Sequence, residues 1–245
     1  MGRRSQVGSG AGAGASGRRE RGAGRCARGL LSFPARKASD ADRTARTCRT
    51  RARLAGAPGP GKGAMSGLEK ALRALSSFLE ERRFPYMVIG GVANLAWGRP
   101  RSTLDIDVTV WSPAGAESAL IAALCSAFTA LPAEPEQFAL ETRVLPLEVE
   151  GFRVDLILGQ LPYEEQAIRR ARLVDMEGLQ VRVCSPEDLI VHKIISDRPR
   201  DLEDVRGIVR AQGAALDRAY LDPLVRGLAA DLARPGIWDF YISCF

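Results

Sequence analysis

From residue 66 onward, apolar and polar positions fall into short periodic blocks separated by Gly, Pro and charged residues. Leu68, Leu72, Leu75, Phe78 and Leu79 recur at helical spacing and predict an amphipathic helix to about Arg83, with Pro85 as its stop. YMVIG (86–90) reads as a short buried strand ending in a glycine pair, and VANLAWG (92–98) as a helical turn or two. LDIDVTVW (104–111) alternates as a strand, with Leu104, Ile106, Val108 and Val110 on one face and Asp105, Asp107 and Thr109 on the other. AESALIAALCSAF (116–128) predicts a helix. TRVLPLEV (142–149) and FRVDLILG (152–159) predict two strands of a hairpin turning at Glu150 and Gly151.

Further on, YEEQAIRRARL (163–173) reads as helix and LQVRVCS (179–185) as strand. Ser185 at N-cap, Pro186 at N1 and Asp188 at N3 mark a helix start. That helix carries Leu189, Ile190, Lys193 and Ile194 and ends before Pro199. RDLEDVRGIVRAQ (200–212) and DRAYLDPLVRGLAADLA (217–233) add a helical tail. The order predicts an α+β fold: a small mixed sheet of four or five strands with flanking helices, then a helical C-terminal part.

Residues 1–64 lack this patterning and are rich in Gly, Ala and Arg. They hold 13 Arg, 2 Lys and 3 acids, a net of +12. Residues 65–245 hold 20 basic and 26 acidic residues, a net of −6, so the overall +6 and the high pI come from the first quarter of the chain. A segment so poor in apolar residues cannot offset its ordering entropy, which predicts disorder. Three readings stay open for it: an Arg-rich arm for nucleic acid, an organellar-type presequence, or a leader upstream of a start at Met65. The acidic remainder does not support a broad nucleic-acid surface.

Five widely spaced cysteines without a CxxC pair argue against a disulfide framework or a zinc site and fit free thiols in a reducing cytoplasm. No apolar run reaches the roughly 18 residues of a membrane-spanning helix, so no membrane role is expected. His192 is the only histidine, which leaves histidine-based catalysis little to work with. The chemistry expected here rests on carboxylates, backbone amides, Lys and Arg.

Asp105 and Asp107 lie about 7 Å apart on one strand face. Unpaired, they repel; Mg²⁺ removes that cost, because it takes hard oxygen ligands and keeps substrate phosphates as others. Asp155 in FRVDLIL completes a three-carboxylate cluster if its strand lies beside 104–110, and one aspartate could then serve as general base on an attacking hydroxyl. Gly90 and Gly91 sit between strand and helix, where free amides hold phosphate oxygens. Arg99, Arg101, Ser102 and Thr103 are candidate phosphate or carboxylate partners. Each element alone has a structural reading, a turn for the glycines and a solvated edge for the acids.

VIGG, 13 residues, then DID resembles the signature of the nucleotidyltransferase superfamily with the polymerase-β-like palm. GGVANLAWGRPRSTLDIDV, with EDLIVHKIISDRPRDLEDV downstream, is similar to the minimal nucleotidyltransferase and AbiEii-type toxin–antitoxin branch. The resemblance spans about 67–210. It implies a catalytic core over 65–184 and a helical region over 185–245. It implies Asp105 and Asp107 as ligands of one or two Mg²⁺ ions, with Asp155 as third acid and candidate base. Gly90 and Gly91 would pack against the triphosphate of an NTP, with Arg101 and Thr103 nearby, and Lys193 would reach its phosphates. Asp201 and Asp204 would belong to a second motif, although their spacing equally fits an exposed acidic face pairing Arg200 and Arg206. The implied activity is NMP transfer to a hydroxyl of a tRNA, a protein or a small molecule, in the cytoplasm. A non-catalytic antitoxin or regulatory module of the same fold is the alternative.

Overall fold

The computed structural model describes residues 67–100, 103, 105–196 and 198–245. The expected disorder of 1–64 falls outside the described residues. In chain order the elements are α1 (Gly67–Glu81), β1 (Tyr86–Ile89), α2 (Gly90–Trp97), β2 (Asp105–Trp111), α3 (Glu117–Ala127), β3 (Thr129–Ala130), α4 (Pro135–Thr142), β4 (Val144–Val149) and β5 (Phe152–Gly159). They continue with α5 (Pro162–Arg169), β6 (Arg172–Met176), β7 (Leu179–Val183), α6 (Pro186–Ser196), α7 (Pro199–Gln212), a 3₁₀ turn (Gly213–Ala215), α8 (Arg218–Asp231) and α9 (Gly236–Ile242).

The strands form one mixed sheet in the order β3-β4-β5-β2-β1-β7-β6. β2 runs parallel to β5, and β1 parallel to β7; the other neighbours are antiparallel. The alternation of β2 is borne out at Ile106, Val108 and Val110, which are fully buried, while Leu104 lies outside the described residues. Its polar face is not uniformly wet: Thr109 is also buried, against Gly159 at the end of β5. The α1 stripe buries Ala71, Leu72, Leu75 and Leu79 and lies against β4, β5 and β7. Each such leucine contributes roughly 1.5–3 kcal/mol by leaving water.

The α+β class stands, but the sheet has seven strands where four or five are expected. The two additional strands are β3 and β6. β3 is only Thr129–Ala130, pairing with Glu148 and Leu147. β6 takes Arg172 and Leu173 out of the expected helix, which ends at Arg169. The reason lies downstream. Glu177 and Gly178 adopt φ +54° and +92°, a tight turn that folds Arg172–Met176 back onto Leu179–Val183. Glu150 and Gly151 form the expected hairpin in the same way, at φ +52° and +77°.

The α6 start also behaves as expected. The Asp188 N–H donates to Ser185 Oγ at 3.1 Å, and Ser185 Oγ–H donates back to Asp188 Oδ2 at 2.7 Å. Glu187 and Asp188 are fully buried and held by Arg170, Arg172 and the hydroxyls of Tyr163 and Tyr220. This hub fixes α6, and hence Lys193, against α5, β6 and α8.

Candidate active site

β1 is buried along its whole length and delivers the chain to Gly90, next to β2. Ile89 pairs across the antiparallel ladder with Asp107. Gly90 has φ +63°, and a Cβ there would lie 1.9 Å from Asp107 Oδ2. A Cβ on Gly91 would lie 2.3 Å from Thr103 Oγ1. The glycine pair therefore lets the Asp107 carboxylate and Thr103 lie directly on the first turn of α2. The Gly91 N–H donates to the Asp107 carboxylate, placing that anion at a helix N-terminus. Thr103 Oγ1 donates to the Asp105 carbonyl at 3.0 Å.

The parallel β2–β5 ladder sets Asp107 opposite Asp155 and Asp105 opposite Arg153. Neighbouring strands lie about 4.8 Å apart, so the side chains at paired positions stand side by side. Burial pushes the Asp107 carboxyl up, and the charges of Asp155 and Asp105 push it further; Lys193 and the Gly91 N–H oppose both. The three acids thus share one electrostatic patch. Each nevertheless has its own arrangement: Asp107 is on Gly91, while Asp155 Oδ1 accepts from Nε of Arg153 at 3.0 Å and lies 3.0 Å from its Nη2. Asp105 is exposed. Among the described residues, no group of three His, Cys, Asp or Glu side chains is closed into a metal-holding arrangement. The donors are nonetheless all hard carboxylate oxygens whose mutual repulsion is only partly relieved, which is the chemistry that fits Mg²⁺.

Lys193 lies on α6 and is buried. Its Nζ donates to Asp201 Oδ1 at 2.7 Å and sits 2.8 Å from Asp204 Oδ2, both on α7. Both aspartates are buried, so the exposed acidic face is not what forms; Arg206 instead pairs with Glu203 at 3.5 Å. Burial would raise the Asp201 carboxyl, but hydrogen bonds from Lys193, Ser196 and Arg198 outweigh it and hold it at about 2. Asn94 of α2 donates to Asp204 Oδ1 at 3.3 Å and to the Arg99 carbonyl at 3.0 Å. The chain of contacts Asn94–Asp204–Lys193–Asp201 therefore ties α2, α6 and α7 together behind the glycine pair.

The structure brings together Gly90, Gly91, Thr103, Asp105, Asp107 and Asp155, with Lys193 close enough for its charge to act on Asp107. Arg101 and Ser102 fall outside the described residues. Arg99 is exposed and lies 4.0 Å from Glu203. Two residues of the patch are absent from the expected set. Arg153 shares a strand face with Asp155 by the i, i+2 rule, a signal present in FRVD. Asn94 is a buried amide inside an otherwise apolar helix, four residues after Gly90.

Residues 64–220 match the family model described as nucleotidyltransferase of unknown function, DUF6036. Comparison with the curated proteins gives no match. Among solved structures, the chain is similar to the solution structure of the antibiotic-resistance factor ANT(2″)-Ia, at 18% identity and a TM-score of 0.48, covering 69% of this chain and 95% of that one. It is similar to the crystal structure of ANT(2″)-Ia in complex with adenylyl-2″-tobramycin, at 21% identity and a TM-score of 0.43, covering 66% and 94%. An antigenic nucleotidyltransferase-like protein from Paracoccidioides brasiliensis aligns at 17% identity and a TM-score of 0.43, covering 69% and 89%. With the family model spanning more than half of the chain, the protein belongs to the DUF6036 family of nucleotidyltransferases.

Proposed function

We propose that the protein transfers an NMP from an NTP to a hydroxyl acceptor, with Mg²⁺ held at Asp105, Asp107 and Asp155. The observation that carries this reading is the β2–β5 register, which sets Asp107 beside Asp155 with Asp105 two residues away, at the N-terminus of α2. Mg²⁺, when bound, would neutralise the patch and draw charge from the triphosphate. The first turn of α2 at Gly90 and Gly91 lies against Asp107 and Thr103, so phosphates bound to the metal at Asp107 would meet the N-terminus of α2. Lys193, held by Asp201 and Asp204, contributes a fixed positive charge that acts on Asp107. Asp155 takes the proton of the attacking hydroxyl as its oxygen bonds to the α-phosphorus; the bond to the β-phosphate breaks and pyrophosphate leaves. The 65–184 segment then forms the catalytic core, and 185–245 a helical region whose first helix contributes Lys193.

The acceptor is a tRNA, a protein hydroxyl or a small molecule, in a cytoplasmic and AbiEii-like toxin–antitoxin setting. The free thiols Cys125, Cys184 and Cys244 suit that compartment. Incubating the full chain with each labelled NTP, Mg²⁺ and cell lysate identifies the acceptor: the label becomes sensitive to nuclease, to protease or to neither. Absence of any transferred label counts against the reading.

A non-catalytic module of this fold is favoured by one observation, the Arg153 guanidinium on Asp155. Such a module would bind its partner equally well after Asp105→Ala and Asp107→Ala, which a pull-down measures.

A further inference from the structure

Arg153 reaches Asp155 from two residues away on the same strand face: Nε donates to Oδ1 at 3.0 Å, and Nη2 lies 3.0 Å from the same oxygen. It is also the register partner of Asp105 across β2 and of Glu148 across β4. Its guanidinium is stabilised first by Asp155 and then also by Asp105 and Asp107, so its charge is felt by all three acids. The side chain is 54% exposed. Lys193, the other cation acting on Asp107, is in the opposite situation: buried and clamped between two aspartates. A buried clamped ammonium cannot leave without stranding two carboxylates. An exposed guanidinium can rotate into water with little loss. Glu148, exposed on the neighbouring strand, offers it another carboxylate there.

We propose that Arg153 is a built-in counter-cation of the acidic patch, holding Asp155 Oδ1 until a divalent cation displaces it and thereby setting the cation concentration at which the site loads. This rests on the metal-assisted reading above and adds a residue that opposes loading. Arg153 is a positioning residue: it acts on the reaction through Asp155. Its release also returns a free guanidinium to the rim of the site.

The test is Mn²⁺ binding to the full chain without nucleotide, followed by the electron paramagnetic resonance of free Mn²⁺. Four proteins are compared: wild type, Arg153→Ala, Arg153→Lys and Asp107→Asn. Wild type should bind and Asp107→Asn should lose binding. Arg153→Ala should bind about two- to fivefold more tightly than wild type, the range expected for removing an exposed ion pair. Arg153→Lys keeps the charge without the fork and should fall between. The gap between wild type and Arg153→Ala should narrow at high salt, because an exposed pair is screened. Equal or weaker Mn²⁺ binding by Arg153→Ala, with binding still lost in Asp107→Asn, overturns the proposal while leaving the metal reading intact. No Mn²⁺ binding by wild type overturns the metal reading itself, and the role of Arg153 with it.

Discussion

At Gly90 a left-handed backbone and a carboxylate only 1.9 Å from the place of a Cβ combine, so the position excludes any side chain on two grounds. Gly90→Ala should cost about 1–2 kcal/mol for the backbone alone, with more from displacing Asp107, measured by urea unfolding. Asp107 offers a second residue-scale prediction. Its carboxyl is raised by burial and by Asp155 and Asp105, so the folded state binds protons more readily than the unfolded one. The contribution is fully present below the ordinary carboxylate value and is lost as pH rises through the raised one. Asp107→Asn should therefore be more stable than wild type at pH 7, by about 0.5–2 kcal/mol, the usual gain from relieving a functional site. That gain should shrink toward pH 4, as thermal melts across pH will show. At this scale much was legible: the alternation of LDIDVTVW places both acids on one face, and GG before a helix marks the close approach. The pairing of Arg153 with Asp155 was present in the i, i+2 spacing of FRVD, but its place beside Asp105, and the role of Asn94, depend on which strands and helices become neighbours, which spacing within one segment does not encode.

The elements α2, α6 and α7 are joined by a buried charged network rather than by apolar packing alone. Lys193→Met leaves Asp201 and Asp204 facing each other in a buried site and should cost about 3–5 kcal/mol. Adding Asp201→Asn and Asp204→Asn to it should restore part of the loss, which a chemical-denaturation cycle measures. Asp201 is held down to about 2, so its stabilising effect is full above the ordinary carboxylate value of 3.8 and is lost as pH falls toward 2. Asp201→Asn should accordingly flatten the acid limb of the stability curve between those values. Element order was largely readable from periodicity and caps, the Ser185–Asp188 start being the clearest case. β6 was hidden because RARL continues the helical pattern of the preceding residues, and the Glu177–Gly178 turn that overrides it is a two-residue signal. α4 (Pro135–Thr142) was hidden for a related reason: it buries only Ala139, so it has almost no apolar stripe to detect.

For the whole molecule, charge is the property that composition alone misrepresents. The net of +12 on 1–64 and −6 on 65–245 predicts that any electrostatic nucleic-acid binding belongs to the first segment. The full chain should bind single-stranded RNA with a steep salt dependence, and a chain starting at Met65 should not; filter binding at two salt concentrations separates them. Equal binding by both would place the contact on the acidic domain. Among the described residues no helix is long and apolar enough to cross a membrane. The central claim is that the acids on β2 and β5 serve nucleotidyl transfer, and it is tested most directly by α-labelled NTP with Mg²⁺ and lysate, comparing wild type with the double variant Asp105→Ala, Asp107→Ala. The account predicts label transfer and pyrophosphate release by wild type and a loss of at least about 100-fold in the variant. Transfer that survives in the variant, or a wild-type chain that neither binds nor consumes any NTP, would contradict it.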